Sequence, residues 1–295
     1  MRLSEIEVVS SNSLADALNV LHDRPGRIKP IAGSTDAIIQ LKDGSLQTNE
    51  LLDISNLREL RYIRRDGSVV RVGALSTYSD IIDSPVLKSS CGMLVDACKT
   101  IGSLQIQNRA TIGGNLGNAS PAGDSIPPLY ALDANVKIQS HEHVRLVPIE
   151  KFFLGYRKID LRSDELITEI SFEAVEKPRD GTFLKLGLRE GHFIALVSLA
   201  ISAGWAREGD RFSDVRVALG AVAPIVFRAR KCEEYLRNRT LTDEMIWNAG
   251  KIASGESTPI SDLRASAEYR RTVTPSLLYK AVHILINSRR GWEKS

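Results

Sequence analysis

The stretch IGSLQIQNRATIGGNLGNASPAGD, residues 101–124, decides the fold, because it carries glycine, asparagine and a carboxylate where a packed core would carry apolar side chains. Gly113 and Gly114 can adopt positive φ or bring bare backbone against a ligand, which a residue with a Cβ does only at a steric cost. Consecutive backbone amides bind anions without help from lysine, so this segment suits a phosphate group. The alternative interpretation is a surface turn rich in glycine and asparagine.

A second loop of the same character lies upstream, in IKPIAGSTDAIIQLK, residues 28–42. Residues 28–32 predict a short strand, and Ser34 or Thr35 is a suitable N-cap for a helix over residues 36–42. This order of strand, glycine turn and helix directs amides at one point, as a pyrophosphate requires. The chain has no G-x-G-x-x-G after a strand and no G-x-x-x-x-G-K-[ST], so a Rossmann dinucleotide site and a P-loop lack support.

The two loops match two motifs of one protein family. Residues 32–36 read A-G-S-T-D, and residues 106–124 contain I-Q-N-R, T-I-G-G-N and then an alanine, a proline and an aspartate. At these residues the chain resembles the FAD-binding subunit of the molybdenum hydroxylases, the family of xanthine dehydrogenase and carbon monoxide dehydrogenase. The family's motifs read A-G-G-T-D and I-R-N-R-x-T-I-G-G-N-x-x-x-A-x-P-x-x-D, so Ser34 replaces a glycine and Gln107 replaces an arginine.

The resemblance continues beyond the loops and spans nearly the whole chain. It includes LYALDA at residues 129–134, DELITEI at residues 164–170 and a strand, FLK, at residues 183–185. The run ASAEYRR, residues 265–271, is similar to the R-x-S-A-x-Y-R run that opens the last helix of these subunits. We interpret that run as a helix start near the surface.

The resemblance implies that FAD binds at the two loops. Backbone amides of residues 32–36 and 111–115 would hold its pyrophosphate, with side-chain hydrogen bonds from Thr35, Thr111 and Asn115. The cofactor-binding residues expected on this basis are Lys29, Ile31, Ala32, Gly33, Ser34, Thr35, Asp36, Ile101, Thr111, Ile112, Gly113, Gly114, Asn115, Asp124, Ile167, Lys185 and Phe193.

Asp124 and His192, the neighbour of Phe193, each have an alternative interpretation besides a role at the cofactor. Asp124 would be a polar anchor for the ribose of the nucleotide, but its position also permits a helix N-cap. Phe193 would lie beside the isoalloxazine ring. The neighbouring His192 replaces a carboxylate that relatives often have, which would change the charge that an electron acceptor meets; the alternative is a solvated loop residue.

The composition excludes several classes of function. The 295 residues contain 39 basic and 36 acidic side chains, too small an excess to predict binding to nucleic acid or to an anionic membrane. No apolar stretch is long enough to span a bilayer, so we expect a cytoplasmic protein. The chain has 3 cysteines, whereas an iron–sulfur cluster usually needs four thiolates, so no cluster is expected. His141 and His143 read as an exposed hairpin turn rather than a metal site.

The predicted fold class is α+β. Residues 1–175 are expected to form a two-part FAD-binding domain of the PCMH type, with subdomains over about 1–55 and 56–175. Residues 176–295 are expected to form a smaller C-terminal α+β domain, because a run of strands is followed by a run of helices. The polar run 173–181 has the composition of a linker between them. Leu14, Leu18 and Leu21 recur at helical spacing and predict a helix over residues 13–23, and helical stretches are also expected over residues 79–100 and 226–237.

The expected function is electron transfer. The resemblance implies that FAD receives electrons from an iron–sulfur small subunit, that a molybdenum-cofactor large subunit oxidises the substrate, and that NAD(P) is the acceptor. No residue of this chain is assigned as a catalytic acid or base. A xanthine-dehydrogenase-like complex is favoured. The alternatives are a subunit of a carbon monoxide, aldehyde or nicotinate-type dehydrogenase, a self-contained FAD oxidoreductase, and an adaptor that has lost the cofactor.

Overall fold

The computed structural model describes residues 6–176, 179–188, 194–207 and 209–292. The strands are β1 Glu7–Ser10, β2 Ile28–Ile31, β3 Glu50–Asp53, β4 Ile63–Asp66, β5 Val69–Gly73, β6 Asn135–Gln139, β7 Val144–Pro148, β8 Phe153–Gly155, β9 Lys158–Ile159, β10 Leu166–Glu173, β11 Arg179–Leu186, β12 Val197–Trp205, β13 Phe212–Gly220 and β14 Phe227–Arg228. The helices are α1 Leu14–Asp23, α2 Ala37–Asp43, α3 Tyr78–Asp83, α4 Pro85–Ser90, α5 Gly92–Lys99, α6 Leu104–Gln107, α7 Ile112–Asn118, α8 Ile126–Ala131, α9 Ile149–Phe152, α10 Arg230–Leu236, α11 Asp243–Glu256 and α12 Ala267–Trp292. Within these ranges, none of the helices combines the length and the apolar character needed to cross a membrane.

The first unit is a small parallel sheet with the strand order β1-β3-β2. Ser13 caps the first turn of α1, which is typical of a side-chain oxygen at a helix N-terminus. The buried face of α1 carries Ala17, Leu18 and Leu21, and it packs on Leu52 of the central strand. The helical spacing of Leu14, Leu18 and Leu21 predicts this helix from the sequence alone.

The second unit contains a five-stranded antiparallel sheet with the order β4-β5-β10-β6-β7. β10 lies in the centre and is buried along nearly its whole length. Ile170 of β10 pairs with Val72 on one side and Val136 on the other, and all three side chains are inaccessible to solvent. Side chains from α3, α5, α7 and α8 complete this core. The long segment between β5 and β6 therefore folds as a helical layer against the sheet.

The C-terminal part is a four-stranded antiparallel sheet, β11-β12-β13-β14, with helices on both faces. β12 is buried along its entire length. Ala200 belongs to the core of the second unit, whereas its neighbours Leu199 and Ile201 belong to a core formed with α10, α11 and α12. Successive side chains of a strand point to opposite faces, so this sheet is enclosed between the two layers of helices. The architecture is α+β, as the sequence predicts.

Several elements differ from the sequence-based expectation. The helix expected over residues 226–237 begins only at Arg230, because the preceding residues pair with β13 as β14. The single helical stretch expected over residues 79–100 is three helices, and Pro85 begins the second, where a missing N–H costs nothing. The polar run expected to be a linker ends within β11, which begins at Arg179.

Candidate functional site

A cleft of about 580 Å³ lies between the first and second units. That volume is within the range of small-molecule sites, roughly 300–1,000 Å³. The expected site residues that line it are Lys29, Ile31, Ala32, Gly33, Ser34, Thr35, Asp36, Ile101, Thr111, Gly113, Gly114, Asn115, Asp124 and Ile167. The structure therefore brings both sequence motifs to one cavity.

The first loop, residues 32–36, connects β2 to α2 and presents backbone donors. Ser34 has a φ of 62°, and its Oγ donates to the carbonyl of Ala32 at 3.2 Å. Asp36, rather than the expected Ser34 or Thr35, is the N-cap of α2, and its side chain makes no capping hydrogen bond. In the described part of the chain, the amides of residues 33–36 donate to no acceptor. Four consecutive N–H groups at the cleft wall are therefore available as donors, and such a run of amides is suited to an anion.

Gly33 is required by packing against the second motif. A Cβ at this position would lie 1.9 Å from the carbonyl oxygen of Arg109, far inside van der Waals contact. The backbone of the first loop therefore lies directly on the backbone that precedes α7. Glycine is the residue that permits such a close approach between two chain segments.

The glycine-rich second motif is a helix, not a loop. Thr111 is the N-cap of α7, and its Oγ1 accepts the amide of Gly114 at 3.1 Å. The amides of Ile112 and Gly113 donate to the carbonyls of two residues after β5, at 3.1 and 2.9 Å, and the amide of Asn115 donates to Thr111 at 3.0 Å. These four amides are satisfied inside the protein. The expectation that the amides of residues 111–115 hold a pyrophosphate stays a prediction, although four of these five amides already have acceptors inside the protein. The surface-turn alternative is wrong, because Ile112–Asn118 forms a helix.

The residues of this motif have different surroundings. Ile112 is fully buried and does not line the cleft. A Cβ on Gly113 would meet the Cβ of Ala74 at 2.7 Å, so this glycine allows α7 to pack on the end of β5. A Cβ on Gly114 would approach only the Oγ1 of Thr111, at 2.9 Å. Both glycines line the cleft, but Gly113 is also a packing residue, whereas a Cβ at Gly114 would meet only Thr111.

Two polar contacts fix side chains along the cleft. The Oδ1 of Asn115 accepts the hydroxyl of Ser125 at 2.8 Å, which leaves the two side-chain N–H groups of Asn115 as donors. The Nε2 of Gln40 donates to the Oδ1 of Asn118 at 2.8 Å and joins α2 to α7. Gln40 and Asn118 both line the cleft and were missed from the sequence, because Gln40 belongs to no recognised motif and Asn118 stands at a position that the second motif leaves unspecified.

Asp124 and Lys185 form a buried ion pair at the cleft. The Nζ of Lys185 lies 2.6 Å from the Oδ2 of Asp124 and donates to the carbonyl of Thr100 at 2.9 Å. Burial raises the pKa of Asp124 to about 6, and the charge and hydrogen bond of Lys185 oppose this shift. The other oxygen of Asp124, Oδ1, is buried and has no partner among the described residues. A buried acceptor without a partner is costly, so this oxygen is suited to accept a hydrogen bond from a ligand.

The other expected site residues are Asp124, Lys185 and Phe193. Asp124 is not a helix N-cap, because Ser125 occupies the N-cap position of α8. Lys185 is on β11 as expected, but it lies behind Asp124 and does not itself line the cleft. Phe193 and His192 lie outside the described residues. Ile194, which follows them, lines the cleft and is half exposed.

Tyr78 is a cleft residue that sequence reasoning missed. It is almost inaccessible to solvent, and burial raises the pKa of its hydroxyl well above the ordinary value. Its amide donates to the carbonyl of Ala110, just before the second motif, at 3.2 Å. The capping box of Thr77 and Asp80, directly after β5, is the local signal that places a helix start here.

The comparisons with known proteins agree with this geometry. Residues 4–172 match the family described as the FAD binding domain in molybdopterin dehydrogenase, and residues 183–285 match the CO dehydrogenase flavoprotein C-terminal domain. The chain is 33% identical over 278 residues to the glyceraldehyde dehydrogenase medium chain of Sulfolobus acidocaldarius, covering 94% of this chain and 97% of that one. It is 33% identical over 277 residues to the putative xanthine dehydrogenase FAD-binding subunit of Escherichia coli, covering 92% and 94% respectively.

A solved structure supports the same assignment. Carbon monoxide dehydrogenase from Hydrogenophaga pseudoflava contains a chain that matches with a TM-score of 0.91 and 29% identity, covering 96% of this chain and 98% of that one. The present chain belongs to the FAD-binding medium subunits of the molybdenum hydroxylase family. Its cofactor is FAD, and its relatives are subunits of oxidoreductase complexes.

The cleft fits this cofactor on the observations above. The donors of the first loop suit the negatively charged pyrophosphate, and the unpaired Oδ1 of Asp124 suits a hydroxyl group. Ile101, Ile159 and Leu166 provide apolar lining. A ligand with a charged centre and large apolar and hydroxylated parts matches this distribution of polar and apolar groups.

Proposed function

We propose that this chain is the electron-transfer subunit of a three-subunit molybdenum hydroxylase. FAD in the cleft receives electrons from the iron–sulfur clusters of a small subunit and passes them to NAD(P). A large subunit with the molybdenum cofactor oxidises the substrate. The bound flavin supplies the redox chemistry, and this chain supplies binding, orientation and the electrostatic environment.

The observation that supports this proposal is a cleft suited to FAD in a chain whose described residues hold no cluster of metal-ligating side chains. The 3 cysteines of the sequence, Cys91, Cys98 and Cys232, are all buried and unbridged. Three thiols do not complete the usual set of four ligands for a cluster, so the electrons come from another polypeptide. Burial also raises the pKa of each of these thiols, which keeps them protonated and unreactive.

Within the cleft we assign roles by available hydrogen-bonding groups. The amides of residues 33–36 hold the pyrophosphate, and Thr35 and Asn115 add side-chain hydrogen bonds. The Oδ1 of Asp124 accepts a hydroxyl of the ribose. The residues of α7 form the rigid floor on which these contacts are placed, and Ile101 and Ile167 supply apolar contacts to the cofactor.

Among substrates we favour a purine of the xanthine type. Residues 105–109 and 118–124 resemble those of purine and N-heterocycle hydroxylases, and the E. coli relative is named as a putative xanthine dehydrogenase FAD-binding subunit. An aldehyde is the second candidate, because the glyceraldehyde dehydrogenase medium chain is equally similar at 33% identity. The residues that select the substrate lie on the large subunit in this proposal, so both candidates use the same cleft.

The experiment is purification of the tagged chain from its native host under mild conditions. We expect two further polypeptides, bound FAD, iron and molybdenum, and reduction of NAD(P) with xanthine or hypoxanthine. Turnover with glyceraldehyde instead would select the aldehyde alternative. Recovery of the chain with FAD but with no partner would reject the three-subunit proposal, and turnover of an organic donor by that single chain would indicate a self-contained oxidoreductase. Fractionation of the host cells tests our accompanying proposal that the complex is cytoplasmic.

A further inference from the structure

Arg270 lies in the first turns of α12 and is only 3% exposed. It belongs to the run ASAEYRR, which the sequence predicts to be a helix start near the surface. The helix start is present, since α12 begins at Ala267. The expectation is wrong for Arg270 itself, whose guanidinium points into the protein and makes three hydrogen bonds to groups outside its own helix.

One of these bonds fixes the backbone just before β12. The Nη1 of Arg270 donates to the carbonyl of Leu196 at 2.9 Å. The amide of Leu196 donates to the carbonyl of Leu186 at 2.8 Å, which joins this backbone to the end of β11. Ile194, two residues before Leu196, lines the FAD cleft. Arg270 therefore holds backbone that leads directly into the cleft wall.

The second bond fixes the segment after β13. The same Nη1 of Arg270 donates to the carbonyl of Ala221 at 2.9 Å. Ala221 has a φ of 63°, and its amide donates to the carbonyl of Pro121 at 2.9 Å. Ser120 and Ala122, on either side of Pro121, both line the cleft. One guanidinium nitrogen thus joins two backbone segments that each continue into the FAD site.

The third bond holds Arg270 in place. Its Nη2 donates to the Oδ1 of Asp262 at 2.9 Å. That oxygen also accepts the amides of Arg264 and Ala265, at 2.9 and 3.2 Å, so Asp262 is fixed by its own turn. A planar guanidinium with several donors can satisfy a carboxylate and two carbonyls at once, which a lysine does not do with the same geometry.

We propose that Arg270 is a positioning residue of the flavin site. It joins the start of α12 to the backbone just before β12 and to the segment after β13, and so sets where these parts of the cleft wall lie against FAD. A purely structural helix start has no need of a buried charge, which is costly unless it is paired. Its Nε is also buried with no acceptor among the described residues, which adds to this cost. The inference depends on FAD binding and not on the identity of partner, substrate or acceptor.

The test uses the full-length chain loaded with FAD. Arg270→Met removes the donors and keeps much of the side-chain volume. We expect the visible circular dichroism of the bound flavin to change, its reduction potential to shift, and the dissociation constant for FAD to rise about tenfold, which corresponds to about 1.4 kcal/mol. Arg264→Met is the matched control, because Arg264 also pairs with Asp262, at 2.9 Å, but is exposed and contacts neither carbonyl. We expect the control to leave all three readouts unchanged.

The proposal is wrong if Arg270→Met lowers only the thermal unfolding midpoint and leaves the dichroism, potential and affinity of the flavin unchanged. Arg270→Lys serves if the methionine variant does not fold. It keeps the charge and some donors but not the planar fork, so we expect a smaller change in the flavin dichroism. A folded lysine variant with wild-type flavin dichroism and potential would equally overturn the proposal.

Discussion

The Nζ of Lys185 lies 2.6 Å from the Oδ2 of Asp124, and both side chains are nearly inaccessible to solvent. The two residues are far apart in sequence, and the pair joins β11 of the C-terminal sheet to the end of the glycine-rich segment. A buried ion pair is sensitive to the loss of one partner, because the remaining charge is left without compensation. This pair therefore links the stability of the C-terminal sheet to the floor of the FAD cleft.

Lys185→Met is expected to destabilise the fold by about 3–5 kcal/mol, the usual cost of leaving one member of a buried pair. The double variant Lys185→Met with Asp124→Asn is expected to recover part of that loss, since no charge remains buried. Urea unfolding of the wild type and the two variants measures both effects. Equal loss in the single and double variants would show that the charge of Asp124 is not the cause.

The stability of the apo chain is expected to depend on pH through Asp124. Burial raises the pKa of this carboxyl from 3.8 to about 6, so between these values the folded chain binds more protons than the unfolded chain. Stability contributed by this group is therefore present at low pH, falls as the pH rises through this window, and is level above about pH 6. Urea unfolding at about pH 4.5 and about pH 7.5 should show a smaller pH difference for Asp124→Asn than for the wild type. Asp96→Asn, at an exposed carboxylate, is the control and should keep the wild-type difference.

Gly33→Ala is expected to weaken the contact between the first loop and the second motif. The added Cβ would lie 1.9 Å from the carbonyl oxygen of Arg109, so the backbone must move. Overpacking of this kind costs about 1–3 kcal/mol. Gly92→Ala is the matched control, because a Cβ there meets no atom within 4 Å. Thermal unfolding and the FAD content per chain measure the effect, and equal behaviour of the two variants would contradict the assignment.

Gly113 and Gly114 are expected to respond differently to substitution. Gly113→Ala places a Cβ 2.7 Å from that of Ala74 and should lower the unfolding midpoint. Gly114→Val adds a branched side chain on the cleft side and should abolish FAD retention while a folded apo protein remains. Measuring the midpoint and the FAD content of both variants separates packing from binding. Stoichiometric FAD in purified Gly114→Val would show that this position does not face the cofactor.

Thr111→Val is expected to destabilise α7 by about 1 kcal/mol, because the amide of Gly114 loses its capping acceptor. Thr111→Ser keeps the hydroxyl and should retain most of the wild-type stability. Urea unfolding of the apo proteins compares the two variants without the effect of bound FAD. A serine variant as unstable as the valine variant would mean that the methyl group, and not the cap, is responsible.

The fold and the general location of the site were predictable, but the division of roles within the site was not. Ser13 and the spacing of Leu18 and Leu21 are local signals, so α1 was identified closely. α7 was read as a loop because glycine and asparagine are poor helix formers, and its helix depends on contacts with the end of β5 that no local pattern shows. The satisfied amides of Ile112 and Gly113 follow from the same contacts.

Long-range partners account for the other differences. β14 exists because Phe227 pairs with β13, and a two-residue strand has no recognisable period of its own. Tyr78 and Arg270 contribute to the site through contacts with residues distant in sequence, which neither composition nor spacing reveals. The two glycine motifs indicated the chemistry of the site. Tyr78 lies outside every motif, and the run that contains Arg270 gave no sign that this side chain is buried.

The contact of Gly33 with the carbonyl of Arg109 has a consequence for how the holoprotein is assembled. The four free amides are on the first unit and the cleft floor is on the second, so neither unit has a complete site before they meet. FAD bound between the two units would then stabilise the contact of the N-terminal unit with the second unit. Amide hydrogen exchange in β2 and α2 should consequently slow when the cofactor is added, while exchange in β12, enclosed in the C-terminal part, should change little.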